Sequence, residues 1–125
     1  MIALDASALL ALLFKEQGAD EVATHLSASC LSTVNLAEVI GRFVRDGHDA
    51  DEVLARLSGS EIELVPFSSE QAAIAAKLIP KTLRLGLSLG DRACLALALF
   101  RSIPALTADR DWKKLKLGIS IAVIR

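Results

Sequence analysis

The sequence predicts an α/β fold: a three-layer α/β/α sandwich around a short parallel sheet of four to five strands. Two observations predict it. Short apolar runs alternate with longer stretches of helical periodicity along the whole chain. Strands alternating with helices in this way imply a parallel sheet covered on both faces. The 125 residues contain no repeat, no low-complexity tract and no Pro/Gly/Ser-rich linker. A chain of this length and makeup is expected to form one domain, residues 1–125.

The first run, Ile2-Ala3-Leu4, reads as a short buried strand ending at Asp5. Ala6 to Phe14 reads as a helix, followed by a second from about Ala19 to Leu26 and a brief strand at Ser29 to Leu31. In Val34 to Val44, Val34, Ala37, Gly41 and Val44 recur at helical spacing, and Gly47 lies just past the expected end. Asp49 with Glu52 three residues on has the form of a capping box opening a helix to Leu57, which Gly59 closes. Ile62 to Phe67 is a third strand. Ser68 to Ile79 is helical and is expected to stop at Pro80. Residues 81–87 read equally as a short helix or a loop. Ala93 to Arg101 is apolar nearly all round, so a deeply buried helix is expected there. Ala105 to Thr107 is a fourth strand, Arg110 to Leu115 a short helix, and Ile119 to Ile124 a fifth strand.

Composition narrows the function classes. Hydrophobic residues make up 53% of the chain and charged residues 23%, which is globular rather than disordered. The net charge of -1 argues against a module that grips nucleic acid mainly by phosphate neutralisation. A nuclease remains open, because bound divalent cations add positive charge of their own. Cys30 and Cys94 have no metal-type spacing and are expected to be buried free thiols. No targeting signal is evident, and Ala6 to Phe14 is too short to span a bilayer, so a cytoplasmic protein with no membrane attachment is expected.

In open α/β sheets, ligands bind outside the carboxyl ends of the strands. Asp5 follows the first strand directly and Asp109 lies two residues past the fourth. Asp91 begins a buried helix and Glu38 lies one turn into another. Each has an alternative role. Asp5 and Asp109 suit helix N-caps, Ser88 and Asp91 suit a capping box, and Glu38 suits an ion pair with Arg42 one turn on. Glu38 lies about 40° around the helix from Val34, on the flank of the apolar stripe. Burial there would penalise a lone carboxylate. Acids converging on one sheet edge repel one another, and protons or a cation must offset that repulsion. Hard oxygen ligands suit Mg²⁺ or Mn²⁺, which activates water and stabilises charge on a phosphodiester.

Four segments together resemble the motifs of PIN domains. They are Ile2-Ala3-Leu4-Asp5-Ala6-Ser7, Ser32-Thr33-Val34-Asn35-Leu36-Ala37-Glu38, Leu87-Ser88-Leu89-Gly90-Asp91-Arg92-Ala93 and Leu106-Thr107-Ala108-Asp109-Arg110-Asp111-Trp112. The likeness runs from residue 2 to the final strand, and the size is that of VapC-type toxins of bacterial toxin–antitoxin pairs. The resemblance implies a PIN-like fold and a Mg²⁺- or Mn²⁺-dependent endoribonuclease. In it, metal-activated water hydrolyses RNA phosphodiesters and leaves 5′-phosphate and 3′-hydroxyl ends. It implies that Asp5, Glu38, Asp91 and Asp109 hold the metal directly or through water. Ser7 and Asn35 would orient ligands, and Thr107 would hydrogen-bond within the site. It further implies a homodimer and a VapB-like antitoxin that covers the site. Asp111 is a possible further ligand, with a first-turn helix acid the favoured reading.

The remaining residues carry weaker signals. Lys77, Lys81, Arg84 and Arg92 cluster around the third motif and suit either phosphate contacts or a solvated helix face. His25 and His48 have no positioned partner and read as surface residues. Trp112 is expected to pack over the fourth strand rather than stack on a base. Two other functions fit parts of the pattern. An Asp-nucleophile phosphatase of the haloacid-dehalogenase type also places Asp after the first strand, but its usual second Asp is here Ser7. A PIN-fold binding module without catalysis would not need all four acids.

Overall fold

The computed structural model describes residues 1–125. Five strands form one sheet: β1 (Ile2–Leu4), β2 (Ser29–Ser32), β3 (Glu63–Val65), β4 (Ala105–Thr107) and β5 (Ile121–Val123). Their order is β3-β2-β1-β4-β5 and every pairing is parallel. Seven α-helices connect them: α1 (Ala6–Leu13), α2 (Ala19–His25), α3 (Thr33–Arg45), α4 (Ala50–Ser58), α5 (Ser69–Lys77), α6 (Ile79–Thr82) and α7 (Leu89–Arg101). This is the three-layer α/β/α sandwich the alternating pattern predicts. No helix is long and apolar enough to cross a membrane.

Side chains alternate across the sheet with the period of two that a strand imposes. On one face, Leu4, Leu31 and Leu106 join Leu9, Val22, Leu36, Val39 and Leu57 from α1 to α4. On the other, Ala3, Cys30 and Ala105 meet Cys94, Leu95, Leu97 and Ala98 of α7. Ala3 stands directly beside Cys30 and Ala105 in the strand register. These small side chains form a shallow floor that lets α7 lie close to the sheet. Both cysteines are free and buried, and burial pushes their thiols up from the ordinary range, which leaves them poor nucleophiles.

The boundaries differ from the sequence pattern in ways that have local causes. Helix α7 begins at Leu89 because Ser88 and Asp91 form a reciprocal capping box there. At α4 only half of the predicted box forms: Asp49 accepts from the Glu52 amide. Helix α5 ends at Lys77, and Pro80 opens α6 instead of merely stopping a helix, since its missing N–H is tolerated in a first turn. The ambiguous 81–87 stretch contains the end of α6 and a 3₁₀ turn at Leu83–Leu85, closed by Gly86 at φ +69°. The segment Arg110–Lys114 is 3₁₀ rather than α. Strands β3 and β5 are shorter than their apolar runs.

Trp112 is fully buried in the α7-side core. Its replacement by Ala should cost about 3–5 kcal/mol, the loss typical of a buried aromatic, read as a fall in the urea midpoint with little change in slope.

The strand order reverses between β1 and β4, the first and second halves of the chain running outward from this point. The carboxyl ends of these two neighbours form the crevice where the doubly-wound architecture places ligands.

Candidate active site

Asp5 leaves the end of β1 at the N-cap position of α1, yet its side chain makes no cap hydrogen bond. The carboxyl turns inward. Its Oδ2 accepts from the hydroxyls of Ser7 at 2.6 Å and Thr107 at 2.9 Å. These hydroxyls are themselves fixed by backbone donors across the β1–β4 seam. Ser7 Oγ accepts from the Ala108 amide at 3.0 Å, and Thr107 Oγ1 from the Asp109 amide at 3.1 Å. Both donors to Asp5 fall on one oxygen, leaving Oδ1 with no protein partner. Asp5 is only 3% exposed. Burial, with the charges of Asp91 and Glu38, pushes its carboxyl from 3.8 up to about 7, against the lowering by the two hydroxyls.

Glu38 projects from the second turn of α3, whose N-cap, Ser32, accepts through its hydroxyl from the Val34 amide. Although the residue is exposed overall, its carboxyl end lies over Gly90 in the first turn of α7. Asn35 Nδ2 donates to Glu38 Oε1 at 2.9 Å and to the Gly90 carbonyl at 2.9 Å. Partial burial raises the Glu38 carboxyl, Asn35 lowers it, and the Asp91 charge raises it. The alternative role for Glu38, an ion pair with Arg42, does not form. Arg42 pairs instead with Asp46 and lies over the Phe14 ring, because an i,i+4 partner further along α3 leaves Glu38 free to face α7.

Asp91 and Asp109 both carry structural duties. Asp91 Oδ2 accepts from the Ser88 amide at 2.8 Å while Ser88 Oγ accepts from the Asp91 amide at 3.2 Å. Asp109 Oδ1 accepts from the Asp111 amide at 2.9 Å, capping the 3₁₀ turn. Asp111 sits in that first turn and its carboxylate accepts from Lys114.

The structure therefore brings Asp5, Glu38 and Asp91 within mutual electrostatic reach and puts Asp109 on the adjoining β4 loop. No three acidic, His or Cys side chains are drawn together around one point. Each acid is turned toward a donor of its own or a neighbouring element. The donor set is nevertheless suited to a hard divalent cation: it is all oxygen, its charges repel, and its most buried member has a carboxylate oxygen left over.

Around the site, Arg92 Nη1 donates to the Leu87 carbonyl and its Nε is buried without a partner. Lys81 and Arg84 are exposed and make no ion pair. Residue 7, two past Asp5, places a hydroxyl and not a second carboxyl against it, so the acid–base partner of a haloacid-dehalogenase site is absent there. Sequence reasoning missed Gly90. The one available signal was the Ser88–Asp91 capping-box spacing, which places Gly90 in a first helical turn, where Ala is ordinarily the better residue.

A PIN domain family model matches residues 2–117. Among solved structures, one of a toxin–antitoxin complex from Klebsiella pneumoniae aligns with TM-score 0.74 and 18% identity, over 95% of each chain. DNA-bound VapBC from Salmonella typhimurium aligns with TM-score 0.71 and 20% identity over 100% of each. VapBC-5 from Mycobacterium tuberculosis, of the VapBC family of toxin–antitoxin systems, is 27% identical with TM-score 0.54, covering 78% of this chain and 81% of the other. No curated protein sequence matches significantly.

Proposed function

The chain belongs to the PIN domain family, and from that premise we propose that it is a divalent-metal-dependent endoribonuclease, the toxin of a toxin–antitoxin pair. Residues 1–125 serve as one nuclease domain. The observation that carries the reading is Asp5: a buried carboxyl in a cap position that it does not use, pushed up to about 7 beside two further acids. A folded protein has no structural need for that arrangement, and a bound cation would remove its penalty.

Asp5, Glu38, Asp91 and Asp109 are the residues that would hold Mg²⁺ or Mn²⁺. When bound, the ion supplies activation of water and positive charge against the phosphodiester. The chain's own part is orientation. Ser7 and Thr107 hold Asp5 Oδ2 in place, so that its free Oδ1 is presented in one direction. Asn35 does the same for Glu38. Lys81 and Arg84, exposed near the start of α7, suit RNA phosphates, and Arg92 braces the loop they flank. The fold-level likeness to toxin–antitoxin complexes supports a VapB-like antitoxin as partner; a second copy of this chain is the further partner that the motif resemblance implies.

Incubation of the purified protein with single-stranded RNA should give cleavage in Mn²⁺ or Mg²⁺, none in EDTA, and recovery on adding back the ion. Equal cleavage in the presence of the chelator would falsify the metal mechanism.

A further inference from the structure

We infer that Gly90 and Asn35 form a seat that fixes the Glu38 carboxylate against the first turn of α7, and that Gly90 is a positioning residue for the acidic site. The inference rests on reading these acids as one cation site.

The case begins with why residue 90 is glycine. Its backbone is not in the left-handed region, the usual reason for a glycine, and a Cβ built there meets Glu38 Oε1, Cδ and Oε2 before anything else. These contacts are too close for real atoms, and the three nearest all belong to the Glu38 carboxyl. Glycine within a helix is about 0.5–1 kcal/mol worse than Ala. The missing methyl is thus explained by the room it leaves for the Glu38 carboxyl, and by nothing in the backbone.

Asn35 supplies the other half. It is fully buried, and its two Nδ2 hydrogens serve acceptors on two helices, Glu38 Oε1 on α3 and the Gly90 carbonyl on α7. The flipped amide would set oxygen against oxygen on both sides, so these acceptors fix its orientation. In this orientation Oδ1 is buried with no donor, a penalty of about 1–3 kcal/mol. An amide held at that penalty is poorly explained by fold stability and well explained by the carboxylate it aims. Glu38 is a long, otherwise exposed side chain whose ordering costs up to about 2 kcal/mol of rotamer freedom. The shelf at Gly90 and the Asn35 bond limit that freedom and hold the carboxyl against the first turn of α7.

The test is Gly90→Ala, with Asn35→Ala beside it. Because Cβ would meet the far end of a flexible side chain, Glu38 can swing away and the fold should survive with its melting temperature nearly unchanged. Mn²⁺ affinity by calorimetry should fall about 10- to 100-fold, the usual effect of losing a group that orients a ligand. The two variants combined should lose no more than the worse one alone, since both act through one carboxylate. NMR gives a readout independent of metal: slow exchange of the Asn35 side-chain amide protons in the parent, and faster exchange in Gly90→Ala. Unchanged Mn²⁺ affinity and unchanged Asn35 exchange in Gly90→Ala overturn the seat. A parent protein that binds no Mn²⁺ sinks the cation site instead, and the Asn35 exchange rates alone then decide the seat.

Discussion

Replacing Asp5 by Asn should make the protein more stable and catalytically dead. The sign follows from the raised carboxyl. Unfolded, Asp5 ionises near 3.8; folded, it does so near 7. Well below its unfolded value of 3.8 it is protonated in both states and contributes no penalty. Between pH 4 and 7 the unfolded chain gives up the proton more readily than the folded one, so stability falls as pH rises. Above pH 7 the penalty is complete, at most about 4 kcal/mol for a shift of this size. Asn keeps an oxygen for the Ser7 and Thr107 hydroxyls without the charge. Melting curves of parent and variant should therefore nearly coincide at pH 4 and separate up to pH 7, with the variant higher by several degrees. Added Mn²⁺ should raise the parent's melting temperature at pH 8 and leave the variant's unchanged. RNA cleavage should drop by about 10³-fold or more, which corresponds to losing several kcal/mol of charge stabilisation. A variant that cleaves like the parent would leave Asp5 a role in the fold alone.

The second large effect separates the two duties of Asp91. Ser88→Ala removes half of the capping box and should cost about 1 kcal/mol of stability, with RNA cleavage at the parental rate. Asp91→Asn keeps an acceptor for the Ser88 amide, and removing its charge relieves Asp5 while weakening the helix-dipole contact. Its stability should stay within about 1 kcal/mol of the parent, yet cleavage should fall by about 100-fold or more. Cap and catalysis then dissociate. If activity follows stability in both variants, Asp91 is a cap and nothing further.

Most of the architecture was legible because its signals are local. The apolar runs marked every strand, and the Ser88–Asp91 spacing marked the start of α7, even where hydrophobicity alone suggested a start at Ala93. Boundaries slipped where tertiary pairing decides them. Ile62 and Phe67 are apolar, but only Glu63–Val65 find partners along β2. Pro80 opens α6 where the sequence pattern predicts only a stop, because whether a proline ends one helix or opens another depends on the chain around it.

Sequence position singles out all four acids. The fold brings Asp5, Glu38 and Asp91 within electrostatic reach of one another and carries Asp109 on the neighbouring loop, but which of them has an ordinary structural use was not legible. From spacing, Glu38 looked the hardest to explain structurally and Asp5 looked like a cap. In the fold Glu38 has Asn35, Asp91 and Asp109 have caps to make, and Asp5 is the acid without an ordinary structural use. That reversal depends on contacts between residues about 100 positions apart, Asp5 with Thr107 and Ser7 with Ala108. No periodicity within one element can reveal them. The same holds for Gly90, whose reason lies on α3.

The central claim is that these carboxylates act as one divalent-cation site. Calorimetric titration of Mn²⁺ into the parent and into Asp5→Asn, Glu38→Gln, Asp91→Asn and Asp109→Asn at pH 7.5 addresses it most directly. The account predicts saturable binding by the folded parent and at least about tenfold weaker binding by every variant, with Asp5→Asn the weakest. Four variants that bind Mn²⁺ as the parent does, or a parent that takes up none, would contradict it.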